Sequence, residues 1–204
     1  MQDVQEWLLN RYPKGGSFVD AGAHDGVGDS QTLRLERAGW TGLCVEPSSY
    51  FAGLKASRKC LVDCRALWKE NGRVDFVEVA ATELSGIPQC FGDHWDRFGR
   101  THKEARVPCV TLTTMLEQHA GCRDVKLVPP ITFLCLDTEG SELDILRAHD
   151  FERFPFLTML VEHNGVEQRR RDLHVLADGA GYKLMWSDGT NDFYQLREAS
   201  ERTT

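Results

Sequence analysis

Several features are missing from this chain of 204 residues, and each absence removes a class of function. No apolar run approaches the roughly 20 residues that a membrane helix requires. The first residues carry neither the basic nor the apolar region of a secretory signal, so the expectation is a cytoplasmic protein without a membrane partner. Basic charge is in deficit: 24 Lys and Arg stand against 31 Asp and Glu, a net charge of −7. That balance, with a pI near 5.5, argues against a broad sequence-independent grip on DNA or RNA. The run Arg169-Arg170-Arg171 reads as the solvated side of a helix. The cysteines number seven, an odd count with no Cys-x-x-Cys pair, which excludes a disulfide framework and a zinc site. Cys44 and Cys135 lie in apolar strand patterns and read as small buried hydrophobes. Internal repeats and low-complexity tracts are absent, and so is the Gly-x-Gly-x-x-Gly spacing that receives a dinucleotide pyrophosphate.

What is present is Ser17-Phe18-Val19-Asp20-Ala21-Gly22-Ala23-His24-Asp25-Gly26-Val27-Gly28, then a helical pattern, then Leu43-Cys44-Val45-Glu46-Pro47. Two apolar runs, each ending in an acid, with glycines between them, are how a nucleotide-type cofactor site begins. Gly22, Gly26 and Gly28 allow a sharp turn off the first strand and close approach to a ligand. Asp20, Asp25 and Asp29 would repel a pyrophosphate but suit a ligand carrying an ammonium and a sulfonium, which favours S-adenosylmethionine over NAD. Glu46, at the end of the second strand, is placed to accept hydrogen bonds from both ribose hydroxyls.

Apolar strands alternate with helical patterns, the signature of a three-layer α/β domain spanning 1–204 as one unit. A helix over Val4 to Tyr12 ends at Pro13 and Gly15-Gly16, and residues 1–16 form a lid or an edge cover. Strands are expected at 17–20, 42–46, 60–64, 131–136 and 156–162, with helices at 30–38, 49–57, 112–119, 141–148 and 166–178 between and after them. Residues 73–79 and 105–110 read as an inserted strand pair, and 80–104 as a loop on the acceptor side, with Ser85-Gly86-Ile87 as its hinge. A final pair at 181–187 and 192–197 is joined at Asp188-Gly189 as a hairpin. Residues 198–204 are expected to fray.

The segment Phe18-Val19-Asp20-Ala21-Gly22-Ala23-His24-Asp25-Gly26, the segment Gly39 to Pro47, and Ile131 to Leu136 leading into Asp137-Thr138-Glu139-Gly140-Ser141-Glu142-Leu143 together resemble the FkbM family of S-adenosylmethionine-dependent methyltransferases. The resemblance covers roughly 17–163, and Asp-x-Glu-Gly-x-Glu is its most specific part. It implies a class I methyltransferase fold: a Rossmann-like three-layer sandwich with a mostly parallel seven-stranded sheet and a C-terminal antiparallel hairpin. It also implies O-methyl transfer onto a sugar or natural-product hydroxyl. The sequence departs from the family's commoner pattern at His24, Asp25 and Cys64-Arg65. These departures leave the cofactor class intact and bear on the acceptor.

Open α/β sheets bind ligands at the carboxyl ends of their strands. The expected cofactor pocket is Asp20, Gly22, His24, Gly26, Glu46, Pro47, the Cys64-Arg65-Ala66 turn and Asp137. A hydroxyl acceptor must lose a proton, and the candidates to take it are His163, favoured for its neutral-range pKa, and Asp137. Glu139 and Glu162 stand beside them as further catalytic candidates. Asp137, Glu139, Glu162 and His163 have a spacing that permits a divalent cation without diagnosing one. Glu142 is explained by the helix dipole, and Ser141 with Asp144 resembles a capping box, so a metal is not the favoured reading. In the insertion, Trp95, Arg97 and Arg100 combine an aromatic plate with positive charge and are the substrate-binding candidates. A loop that anchors itself through Trp95 accounts for them equally. The functional reading is S-adenosylmethionine-dependent O-methyl transfer to a small hydroxylated acceptor. Its competitors are a non-catalytic binding module on the same fold and an NAD-dependent oxidoreductase.

Overall fold

A computed structural model describes residues 3–79, 85–91, 102–120 and 129–198. Its centre is a seven-stranded sheet built from β1 (Ser17–Ala21), β2 (Thr41–Val45), β3 (Leu61–Asp63), β8 (Ile131–Leu136), β9 (Phe156–Glu162), β10 (Tyr182–Ser187) and β11 (Asn191–Leu196). The spatial order is β10-β11-β9-β8-β1-β2-β3. The pairs β3–β2, β2–β1, β1–β8 and β8–β9 are parallel, and β11 inserts antiparallel to both β9 and β10. From β1 the strand order runs one way to β2 and β3 and, after the crossover to β8, the other way to β9, so the order reverses between β1 and β8 and the gap beyond their carboxyl ends is the topological switch point.

Sequence and burial agree on why this sheet forms. β1 and β8 are buried at every position, as a strand covered on both faces requires. One face packs Val19, Leu43, Leu134 and Met159 against α4 (Leu112–His119), α5 (Glu142–Arg147) and α6 (Glu167–Gly179). The other packs Phe18, Cys44, Phe133 and Phe193 against α1 (Val4–Arg11), α2 (Leu33–Arg37) and α3 (Phe51–Ser57). The three layers are therefore complete. α1, expected as a lid or an edge cover, buries Val4 and Leu8 in this second core, with Trp7 edge-on to Trp186 and Phe193. None of the described residues lining the cavity at the switch point comes from α1.

The expected helices at 30–38 and 49–57 are shorter than their patterns. Ser30 Oγ accepts the amides of Thr32 and Leu33, and Ser48 Oγ accepts that of Tyr50, so each serine holds a turn where helix was expected. The inserted strand pair is present as β5 (Gly72–Val79) and β7 (His102–Val110), antiparallel from Gly72↔Cys109 to Val79↔His102. It belongs to a second sheet, ordered β4-β7-β5-β6, with β4 (Ala66–Leu67) and β6 (Ser85–Gly86) at its edges. β6 pairs with β5 and is followed by a 3-10 turn, Pro88–Cys90. Within the segment 80–104 expected as a loop, Ser85–Gly86 and residues 102–104 are thus strand. Among the described residues no helix is long and apolar enough to cross a membrane. The fraying expected of the C-terminus falls, beyond Glu198, outside the described residues.

Candidate active site

A cavity opens at the switch point between the loop after β1, the Glu46-Pro47-Ser48 turn after β2, the loop after β8 and the wall of the second sheet. Its floor depends on Gly22. This residue has φ +84°, and a Cβ there would lie 1.6 Å from the carbonyl oxygen of Asp137. Gly22 and Ala23 donate their amides to Val45, and Asp137 donates its amide to Ala21, so three strand ends are laced together beneath the cavity.

Glu46 is buried, with one carboxylate oxygen accepting the His24 amide at 2.9 Å and the other the Ser48 amide at 2.8 Å. A carboxylate oxygen has two acceptor directions, so each keeps one to offer a ligand. His24 has φ +49°, lies 3.6 Å from the Tyr50 ring between centroids, and leaves Nε2 buried without a partner. Asp20 lines the floor but is already engaged: Thr32 Oγ1 donates to it and Arg58 lies 3.9 Å away. Burial pushes the Asp20 carboxyl above its ordinary pKa.

The loop therefore does not present three free carboxylates, as its sequence suggests. Asp25 spends one oxygen on the amides of Val27 and Gly28, which hold its pKa below the usual carboxylate range. Gly28 needs neither a positive φ nor close approach; a Cβ there would meet nothing nearer than 3.8 Å. Gly26 does need both, with φ +76°, but it packs on Arg58 and Leu54 and is not among the lining residues. Arg58 escapes sequence reasoning altogether. It is buried beneath the loop and donates to Glu36, Thr32, Ser30 and the Gly26 carbonyl.

Of the Cys64-Arg65-Ala66 turn, Ala66 lines the cavity and the other two do not. Cys64 is exposed, and Arg65 is turned to Asp63 at 2.6 Å and to Gln118 at 2.7 Å. Those bonds, with His119 at 2.9 Å, hold the Asp63 carboxyl far below its usual range despite burial. The main-chain carbonyl of Asp63 meanwhile accepts the amide of Glu46. Pro47 lines the cavity.

Next to the floor is an acidic cluster. Asp137 follows β8, Glu139 sits two residues on with φ +57°, and Glu162 ends β9. One oxygen from each lies within 4.8 Å of the other two. Burial, reinforced by Asp137 and Glu142, pushes the Glu139 carboxyl up to about 7. Glu162 is raised further, first by burial and then by Asp137 and Glu139, so that at neutral pH it holds a proton shared with Asp137. Glu142 holds the loop from below, its Oε1 accepting the Thr138 amide, the Thr138 hydroxyl and the Gly140 amide. This replaces the expected capping box, because Ser141 makes no side-chain cap bond and turns its hydroxyl to Thr138.

His163 is not in this cluster. It follows Glu162 directly, and neighbouring residues leave a strand on opposite faces. Its buried ring points to Asp192, with Nε2 3.6 Å from Oδ1, while Nδ1 accepts the Gly165 amide. A proton-acceptor role and a place in a four-residue metal set are both corrected by this orientation. The strand alternation that separates the two residues could have been read from the sequence. Trp95, Arg97 and Arg100 lie outside the described residues.

This sheet order, with one antiparallel strand next to the edge and the cavity at the switch point, defines a class I methyltransferase fold. The chain belongs to the FkbM methyltransferases: the family described as Methyltransferase FkbM domain matches residues 20–198. The structure of methyltransferase FkbM from Methylobacillus flagellatus KT is similar, with a TM-score of 0.50 and 13% identity. That match covers 89% of this chain and 43% of the other, so the chain spans less than half of that relative's length. Magnesium protoporphyrin IX methyltransferase from Synechocystis PCC 6803, solved with bound SAM, matches at TM-score 0.46 and 10% identity, over 95% of this chain and 76% of that one. Ribosomal protein L11 methylase from Lactobacillus delbrueckii subsp. bulgaricus matches at 0.47 and 8%, over 96% and 77%. No curated protein matches the chain.

Proposed function

We infer that this chain transfers a methyl group from S-adenosylmethionine to a hydroxyl oxygen of a small acceptor, a sugar or glycan or a secondary metabolite. The observation that carries the cofactor half is Glu46, a buried carboxylate lining the cavity whose two oxygens each accept one amide and keep a second acceptor position. Two adjacent ribose hydroxyls match that pair. Gly22, where a Cβ would collide with the Asp137 carbonyl, lets the loop after β1 lie against the end of β8 and leaves a floor of bare backbone for a flat ligand. Pro47, Ala66, Leu67 and Ile87 supply apolar walls, and His24 brings an unpartnered ring nitrogen. When bound, S-adenosylmethionine supplies an electrophilic methyl group on a sulfonium.

The chain's own task is then to place the acceptor oxygen in line and to receive its proton. Glu139 lines the cavity and titrates near neutrality, so it is the base that fits, with Asp137 and Glu162 sharing a proton behind it. Ser85 supports acceptor recognition: its hydroxyl faces the cavity from β6, buried and without a partner. Phe76 and Ile87 beside it keep water from that wall.

The test is calorimetric titration of the purified protein with S-adenosylmethionine, S-adenosylhomocysteine and NADH, with Glu46→Ala in parallel. Micromolar binding of the two sulfur ligands is expected, weakened at least tenfold in the variant by loss of two hydroxyl contacts. Binding of NADH alone would favour an oxidoreductase. Silence for all three ligands would favour a non-catalytic module.

A further inference from the structure

The turn that follows β9 is built with unusual care for a loop that the proton-transfer step leaves unused. Asn164 has φ +55°, in the left-handed region that favours glycine and that L side chains rarely adopt. The turn is secured by the amides of His163 and Asn164, which both donate to the Thr190 carbonyl at 2.8 and 3.2 Å. The amide of Val166 donates to the His163 carbonyl at 2.9 Å, and that of Gly165 to the His163 ring at 3.1 Å. Because Nδ1 accepts, the ring proton resides on Nε2 and faces Asp192. Asp192 is itself fixed by Arg170 and by the Tyr194 hydroxyl, each at 3.1 Å.

All of this holds one side chain in place. Asn164 Nδ2 donates to Glu162 at 2.7 Å and reaches Glu139 at 3.5 Å. Glu139 is the other non-glycine residue of the cluster held at positive φ, and it approaches from the loop after β8. Two strained residues thus meet across the cluster, one bringing a carboxylate and the other a neutral donor.

We propose that Asn164 is the positioning residue of this site, orienting Glu139 and Glu162 toward the acceptor, and that His163 acts through it by locking the turn. The proposal rests on the methyltransferase reading for its purpose but not for its geometry. A neutral amide is suited to this place. A cation would neutralise the base, and an apolar residue would leave two carboxylates facing each other unbridged. The other charged groups that face Glu139 are Asp137, Glu142 and Glu162, which oppose its ionisation, and Arg169, which favours it.

The test uses full-length protein labelled with carboxyl-¹³C glutamate and saturated with S-adenosylhomocysteine. Its signals are assigned with Glu139→Gln and Glu162→Gln, and followed from pH 5 to 10 in wild type, Asn164→Gly and His163→Phe. Glycine suits the left-handed backbone and removes only the amide. Losing a hydrogen bond to the ionised form raises carboxyl proton affinity. Asn164→Gly is therefore expected to move the Glu139 titration up by about one pH unit, a tenfold change. His163→Phe should move it the same way by less, and cofactor-product affinity should stay within about twofold. Unchanged titration in folded Asn164→Gly would overturn the proposal, whatever the melting temperature does. Absence of S-adenosylhomocysteine binding in wild type would instead sink the cofactor reading, and the same titrations on unliganded protein would still decide the role of Asn164.

Discussion

Arg58 shows how much of a cavity can rest on a residue that does not line it. Its side chain is fully buried and bridges Glu36 at 3.0 Å with Asp20 near 3.9 Å, while also holding the Gly26 carbonyl and two hydroxyls. Removing one partner of a buried ion pair is costly because the other charge stays behind without compensation. Arg58→Met is expected to cost about 3–5 kcal/mol in urea denaturation and to weaken S-adenosylmethionine binding through the loosened glycine loop. A loss below about 1 kcal/mol would mean that Asp20 and Glu36 find other partners. Nothing local in the sequence marks this arginine, because its partners lie between 22 and 38 positions away and meet it only when α3 packs beside the loop. The signals for Gly22 and Glu46 are legible for the opposite reason. Each sits directly after an apolar run, where chain order and spatial order coincide.

At the scale of elements, the long buried strands are readable because burial on both faces leaves a continuous apolar run, as in Ile131–Leu136. β4 and β6 are two residues each, too short to carry any period, so the second sheet is seen in the sequence as a strand pair and a loop. Counting strand ends groups Glu162 with His163; counting faces separates them. The loop from 137 to 141 joins these levels, because it links the sheet to the second sheet's 3-10 turn. Gly140, at φ +110°, would place a Cβ 2.5 Å from the Cys90 carbonyl, the same oxygen that accepts from Arg169. Gly140→Ala must therefore push Pro88–Cys90 away or shift Glu139. The expected result is a loss of about 1–3 kcal/mol, typical of a side chain forced into a special backbone site. Methyl transfer should fall more than tenfold while S-adenosylhomocysteine affinity changes less than threefold. Equal losses in both would place the damage in the cofactor floor instead.

For the molecule as a whole, the acidic cluster ties stability to pH. Glu139 and Glu162 have raised folded-state pKa values, so the unfolded chain releases their protons first. Their contribution is complete below the unfolded value near 4.5 and is lost as pH rises, through about 7 for Glu139 and beyond that for Glu162. His149 acts in the reverse sense. Burial lowers it to about 4, so its contribution is complete above the unfolded value near 6.5 and fades as pH falls toward 4. The two effects offset each other in mildly acidic solution, whereas above neutrality the carboxylates act unopposed by this histidine. A glutamine at 162 keeps the shape and a donor for Asp137 and has no proton to lose. Glu162→Gln should therefore match wild type near pH 5 and melt about 2–4 °C higher at pH 8.5, the shift that ~1 kcal/mol gives in a chain of this size. The same substitution should lower methyl transfer, since the proton shared with Asp137 is no longer exchangeable. Thermal melts at the two pH values decide the matter: a variant less stable than wild type at pH 8.5 would mean that the clustered carboxylates stabilise the fold rather than burden it.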